Sequence, residues 1–383
     1  MANIFTNLTP DLYEALDIVS RELVGLIPSV SRDSNAERAA KDQTVRSFVA
    51  PASTASDISP GQLPADNGDQ TIGNKTITIS KSRYVPVRWN GEEQRGINTG
   101  PGYNNILRDQ FAQAMRTLCN EVESDLAGLH VKASRAVNPA GTNLFDTANY
   151  SDVANVVKEL NINGAPSDRY LVLSNAAAAS FRGLGQYYSA DKAGNDNFLR
   201  QGILMDMHGI AIRESNQMVA FTEGTGSSAT TDNAGYSIGD TVITLASAGT
   251  GTILAGDVIT FNGDTNPYVV TSGDADVSGG GTITLAEPGL QQAIAASTTA
   301  ITVVSSEQRN MAFSKDAIHL VTRAPARPLE GDSAEDVMIV QDPNSGLAFE
   351  VAMYKEYRQV KFEVALAWGY EMIKPEHCIL LVD

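Results

Sequence analysis

The residues most able to do chemistry sit in Asp274-Ala-Asp276-Val-Ser278-Gly279, which copies the first six positions of a calcium-binding loop. That loop needs a bidentate Glu at its twelfth position, and the twelfth position here is Leu285, inside a β-rich run. A solvated acidic loop is the better reading, with calcium the alternative. His377 and Cys378 are neighbours, but adjacent residues of a strand point to opposite faces, which favours a plain buried cysteine over a Cys/His dyad. His130, His208 and His319 are scattered. The glycines of Gly249-Thr-Gly251 and Gly279-Gly-Gly281 precede no helix and form no phosphate cradle. The G-x-S-x-G, G-x-x-x-x-G-K-[ST], H-E-x-x-H and C-x-x-C signatures are all absent. The chain reads as a non-enzyme with no catalytic, cofactor or metal residues to assign.

Composition narrows the class further. The 383 residues carry a net charge of −17, which argues against a broad nucleic-acid-binding face but not against enclosing nucleic acid. No apolar run approaches the length of a membrane span, and the first residues lack the basic start and apolar core of a signal peptide, so a cytoplasmic origin is expected. Cys119 and Cys378, far apart, agree with a reducing compartment.

One stretch stands apart. Residues 223–306 contain no Lys or Arg, eight acids and 13 of the 32 glycines. Met218-Val-Ala-Phe221 precedes it and Asn310-Met-Ala-Phe313 follows it, as if two host strands enclosed an inserted domain. Within it, 241–245, 257–261, 268–271, 282–285 and 299–304 alternate Thr with Val, Ile or Leu between Gly-Asp turns, predicting a small all-β barrel or sandwich.

Around that block the elements that must position everything else follow in order. Thr9 and Pro10 open a helix whose Leu12, Leu16, Val19, Leu23 and Leu26 share one face, and Pro28 ends it. Residues 31–73 are polar and broken by Pro and Gly, too long for a connection inside a compact domain. Residues 75–80 and 84–89 read as a hairpin, with Pro86 confining the second strand to an edge. Five cations (Lys75, Lys81, Arg83, Arg88, Arg95) make it a basic arm on an acidic protein, suited to an acidic neighbour. Leu107, Phe111, Met115, Leu118, Val122, Leu126 and Leu129 then predict a helix over 106–132, roughly 40 Å long. Helices near 152–160 and 175–184, strands at 169–174 and 203–212, and a terminal β run complete an α+β chain.

That order of parts resembles the tailed-phage/herpesvirus-type capsid fold of bacteriophage major capsid proteins, with its N-arm, E-loop, spine helix, P domain and A domain. It is most similar to the short-tailed-phage coat subfamily, which carries a β-rich (Ig-like) insertion domain. The resembling residues are Asn310-Met-Ala-Phe313, Asp316-Ala-Ile318, Val321 and Pro325 after the insertion, and 202–215 before it. The resemblance implies these divisions: 1–70 N-terminal helix and arm, 71–100 E-loop hairpin, 101–150 spine helix and part of the P domain, 151–222 P/A-domain αβ region, 223–306 insertion, 307–383 closing strands.

It further implies a shell subunit that self-assembles into hexamers and pentamers with a scaffolding protein and a portal. The shell would enclose double-stranded DNA without sequence-specific binding and without a membrane, after assembly in the host bacterial cytoplasm. The expected inter-subunit contacts are Lys75, Lys81, Arg83, Arg88 and Trp89 in the E-loop, Leu12, Leu16 and Val19 in the N-arm helix, and Asp274 and Asp276 in the insertion. Some relatives join E-loop to P domain by a Lys–Asn isopeptide bond; Lys75 or Lys81 with Asn344 fit those roles, although solvated lysines and a turn Asn are preferred. The competing function is a receptor- or carbohydrate-binding protein with the β-rich block as its head.

Overall fold

The computed structural model describes residues 24–49, 71–97, 102–138, 144–145, 150–184, 206–218, 220–304, 308–342 and 345–382, with 55, 57, 58, 60 and 69. The helix expected over 9–27, with Leu12, Leu16 and Val19, lies outside them except at its last residues.

The chain begins with β1 (Ser31–Ala39), β2 (Thr44–Val49), β3 (Gly73–Thr78) and β4 (Lys81–Asn90). Helices α1 (Gly91–Ile97) and α2 (Gly102–Ala127) follow, then β5 (Arg135–Val137), α3 (Ser151–Ile162), β6 (Arg169–Leu173), α4 (Asn175–Arg182) and β7 (Ala211–Glu214). The acidic block supplies β8 (Val242–Leu245), β9 (Val258–Phe261), β10 (Tyr268–Ser272), β11 (Gly281–Leu285) and β12 (Ile301–Val304). Its five strands fall where the Thr/Val/Ile alternation predicts them. The host then closes with β13 (Asn310–Ser314), β14 (Ile318–Pro325), β15 (Ala334–Gln341), β16 (Ala348–Glu356), β17 (Gln359–Met372) and β18 (Cys378–Leu381).

One sheet runs β1-β14-β17-β16-β15, with β4 on the opposite edge of β17 from β14 and β16. Spine helix α2 packs on one face of it, burying Leu118, Val122 and Leu126 against Phe349, Val364, Leu366 and Trp368. Each such side chain contributes about 1.5–3 kcal/mol of apolar burial. Phe111 of α2 meets Phe362 edge-on at 5.4 Å between ring centres. The second sheet has β5, β18, β13, β6 and β7 in the host and continues through β10 and β9 to β12 in the acidic block. A single residue pair, Tyr268 with Arg135, carries that continuation.

The acidic block has its own core, including Ile243, Ile259, Phe261, Tyr268, Ile283 and Leu290. Two of its residues, Val258 and Val269, pack instead into the main host core. It is therefore welded to the host by backbone, by side chains and by two chain crossings, rather than tethered. Where the chain enters and leaves it, Ala220 and Gln308 form an antiparallel bridge.

Three expectations are corrected. Residues 75–80 do not form a hairpin with 84–89: β3 pairs with β2, and β4 pairs along its whole length with β17. A tight hairpin at Ser80-Lys81 would need a left-handed Gly or Asn, and neither is present. The chain instead passes from ribbon to sheet, held by Ile79 N–H to the Gln43 carbonyl at 2.8 Å and by Gly369, where a Cβ would stand 2.2 Å from the Thr78 carbonyl oxygen. The polar residues 31–39 are a strand, because parallel pairing with β14 supplies the order that their composition does not. Finally, Ala220 of the run before the block forms an isolated bridge with Gln308, and Met207–Ile210 closes a turn before β7.

Candidate assembly surfaces and their anchors

Strand β4 lies along the spine helix with alternate residues facing it. Lys81 Nζ donates to Asp125 Oδ1 at 2.7 Å, Arg83 Nε lies 3.7 Å from Glu121, Val85 packs into the core, and Trp89 Nε1 donates to Gln110 Oε1 at 2.8 Å. Strand residues two apart advance by about 6.7 Å and helix residues four apart by about 6 Å, so the two ladders stay in step. Asp125 also accepts from Trp368 Nε1 at 2.8 Å, tying α2, β4 and β17 together.

Three of the residues expected at subunit contacts have partners within their own chain. Trp89 is 2% exposed and belongs to the core of its own chain. Lys81 and Arg83 meet acids of their own spine helix, Asp125 and Glu121. Arg88 lies on the opposite face, across from Lys361. Lys75, on the ribbon, reaches Glu287 of the acidic block at 3.6 Å. Asn344, the proposed isopeptide partner, lies outside the described residues.

The segment leading into β1 is held by an acid that the sequence did not single out. Glu123 is 1% exposed and accepts from Leu26 N–H at 3.0 Å, Ile27 N–H at 2.9 Å and Ser215 Oγ at 2.9 Å. Burial raises its pKa, and these hydrogen bonds oppose the rise. Its signal in the sequence was a carboxylate beside Val122 on the buried side of the apolar stripe.

A second cluster sits at the root of the acidic block. Asp257, fully buried, accepts from Gly224 N–H at 3.0 Å and Leu254 N–H at 2.6 Å. The Arg309 guanidinium lies 4.5 Å from the centre of the Phe221 ring, and the His130 ring meets Phe221 edge-on at 5.5 Å. Gly256, at φ +96°, leaves open the space where Phe221 and His130 meet; a Cβ there would lie 3.0–3.1 Å from both. Burial raises the pKa of Asp257, with the Arg309 charge pulling it back. Burial lowers that of His130, and Arg309 adds to the effect. The neutral imidazole donates from Nδ1 to the Ala127 carbonyl at 3.1 Å, leaving Nε2 without a hydrogen-bond partner. The Gly-Asp recurrence had marked Asp257 only as turn chemistry. Tyr268, where the sheet crosses into the block, donates to Asp264 at 2.6 Å, and its pKa is pushed up to about 12, chiefly by burial.

Asp274 and Asp276 fold back on their own turn. Asp274 accepts from Asp276 N–H at 2.8 Å, and Asp276 from Ser278 N–H at 3.1 Å and Ser278 Oγ at 2.6 Å. The Ser278 hydroxyl and amide hold the Asp276 carboxyl below its ordinary pKa. Among the described residues, no three His, Cys, Asp or Glu side chains converge to hold a metal. Cys378 is fully buried, its thiol pushed well up by burial, which leaves no thiolate for nucleophilic chemistry. Cys119 is also buried and donates to Asp342 at 3.6 Å.

No family model matches the chain, and no curated protein matches it in sequence. Solved structures do match it, end to end. A chain of Mycobacterium phage Che8 aligns over 99% of this chain and 98% of its own, with a TM-score of 0.52 at 13% identity. A chain of the cyanophage P-SCSP1u capsid aligns over 97% of this chain and 92% of its own, with a TM-score of 0.52 at 12% identity. The architecture is thus the α+β fold of phage capsid chains.

Proposed function

We propose that this chain is the major capsid protein of a tailed phage, self-assembling into an icosahedral shell around double-stranded DNA and resident in the virion. The observation that supports it most is the alignment with a cyanophage capsid chain over nearly the full length of both. The layout agrees: beside a 26-residue spine helix, a two-stranded ribbon, β2–β3, pairs with no strand of either large sheet and packs through Ile77 and Val45 on the sheet of β14 and β17. In this reading the E-loop is that ribbon with the residues between its strands, beginning near Thr44 rather than residue 71. Residues 223–306, which have their own core and a bridged entry and exit, support the subfamily with an inserted β domain. Scaffolding protein and portal are the partners such a shell requires. Asp274, Asp276, Lys75, Arg88 and, in the N-arm, Leu12, Leu16 and Val19 are its candidate contacts outside the spine ladder. An acidic chain suits a wall that DNA must not adhere to.

Expression followed by gradient sedimentation and negative-stain microscopy tests this reading. Shells or capsomer-sized oligomers are expected, alone or with the scaffolding protein from the same genome. A lone monomer under every such condition, with a sugar-dependent thermal shift, would favour the receptor-binding reading instead.

A further inference from the structure

Strands β16 and β17 stay paired out to Glu356 and Gln359, so Tyr357 and Arg358 form a two-residue tip. Tyr357 is 87% exposed, and the Arg358 guanidinium stands 5.7 Å from its ring centre. At the base of this tip lies an open groove of about 680 Å³, whose other wall is Trp89, Asn90, Gly91, Glu92 and Gln94. Gly91 N–H donates to the Arg358 carbonyl at 3.1 Å, which fixes the two walls relative to each other.

We propose that this tip and groove are a contact between two copies of the chain, with Tyr357 of one copy seated in the groove of the other. The inference rests on the shell reading for its choice of partner. The groove is open, not an enclosed small-molecule cavity, and an aromatic side chain of this size is a common anchor of protein interfaces. Charge selects a second copy. The chain carries −17 overall, so most faces of two copies repel. The groove's charged residues are two acids, Glu92 and Glu356, and two bases, Lys355 and Arg358, which cancel. Two identical patches of that kind approach without a Coulomb penalty and can align opposite signs. Because knob and groove adjoin, one two-fold pairing fills both grooves at once.

The test uses the full-length chain in two forms. In Tyr357→benzoylphenylalanine the ring is kept and made photoreactive, and this protein is mixed with an isotope-labelled wild-type copy. Irradiation is expected to give cross-links from position 357 to residues 89–94 of the labelled copy, read by mass spectrometry. In the second form, Tyr357→Ala is expected to keep the wild-type melting temperature while lowering the yield of assembled particles at least tenfold. Wild-type shells together with no labelled cross-link in residues 89–94 and undiminished assembly of Tyr357→Ala would overturn the proposal. Cross-linked pairs from a protein that never forms shells would keep the contact and overturn the shell reading.

Discussion

Glu123 and Asp257 each hold a length of backbone by its amide groups, but in different electrostatic company. Glu123 fastens residues 26 and 27 with hydrogen bonds to two amides and one hydroxyl. Asp257 fastens the entry of the acidic block with amide bonds too, but the Arg309 charge acts on it, and two valines and a sheet crossing reinforce the joint. The first joint is a latch on a segment whose Leu26, Ile27 and Val30 are buried in the main core. The second is a weld. Apolar packing secures both joints, through Leu26, Ile27 and Val30 at the first and Val258 and Val269 at the second, while the Arg309 charge acts on the second.

The largest test of this contrast is excision of residues 223–306 with a short linker. Removing Val258 and Val269 opens the host core, so the shortened host should lose its cooperative calorimetric transition. A sharp transition at an unchanged temperature would show that the weld is superficial. Next, Glu123→Leu leaves the Leu26 and Ile27 amides buried without acceptors. A loss of about 2–4 kcal/mol in urea unfolding is expected, with faster hydrogen exchange in residues 24–30. A loss below about 1 kcal/mol would mean that water enters and replaces the carboxylate.

Acidity should distinguish the joints as well. His130 has a lowered pKa in the fold, so its contribution is complete above the ordinary histidine value, near 6.5, and is lost as the pH falls through the folded value. Glu123 and Asp257 have raised pKa values, so their contributions are complete at the acid end and decline as the pH rises through the folded values. Between pH 7 and 5 the wild type should lose more stability than His130→Phe, measured by chemical unfolding at each pH. Equal losses would place the acid sensitivity elsewhere. The smallest effect on folding is expected from Arg83→Glu with Arg88→Glu. Arg83 is 59% exposed and its partner Glu121 36%, so the monomer should change by less than about 1 kcal/mol. Reduced particle yield in that variant would show that the outer part of β4 still meets another subunit; unchanged yield would confine it to the spine ladder.

What could be read from the sequence was what short-range periodicity encodes. Val242-Ile-Thr-Leu245 and its four counterparts alternate because one face of each is buried. Leu118, Val122 and Leu126 recur at helical spacing for the same reason, and Pro86 does lie on an edge strand. Pairing partners were less legible. The partner of β3 lies across some thirty residues in β2, and β1 is ordered by a strand nearly three hundred residues away. The anchors were hidden for a related reason: a buried Asp257 and a solvated Asp274 both follow glycine, and only tertiary burial tells them apart.

The position of β18 has a consequence for synthesis. It lies between β5 and β13 near the middle of the larger sheet, and with Cys378–Leu381 it comes after every other strand of that sheet in the sequence. Until those four residues emerge, the edges of β5 and β13 have no partner and the sheet remains in two halves. That sheet therefore closes only after all its other strands have been made, and the strand edges exposed before then invite aggregation.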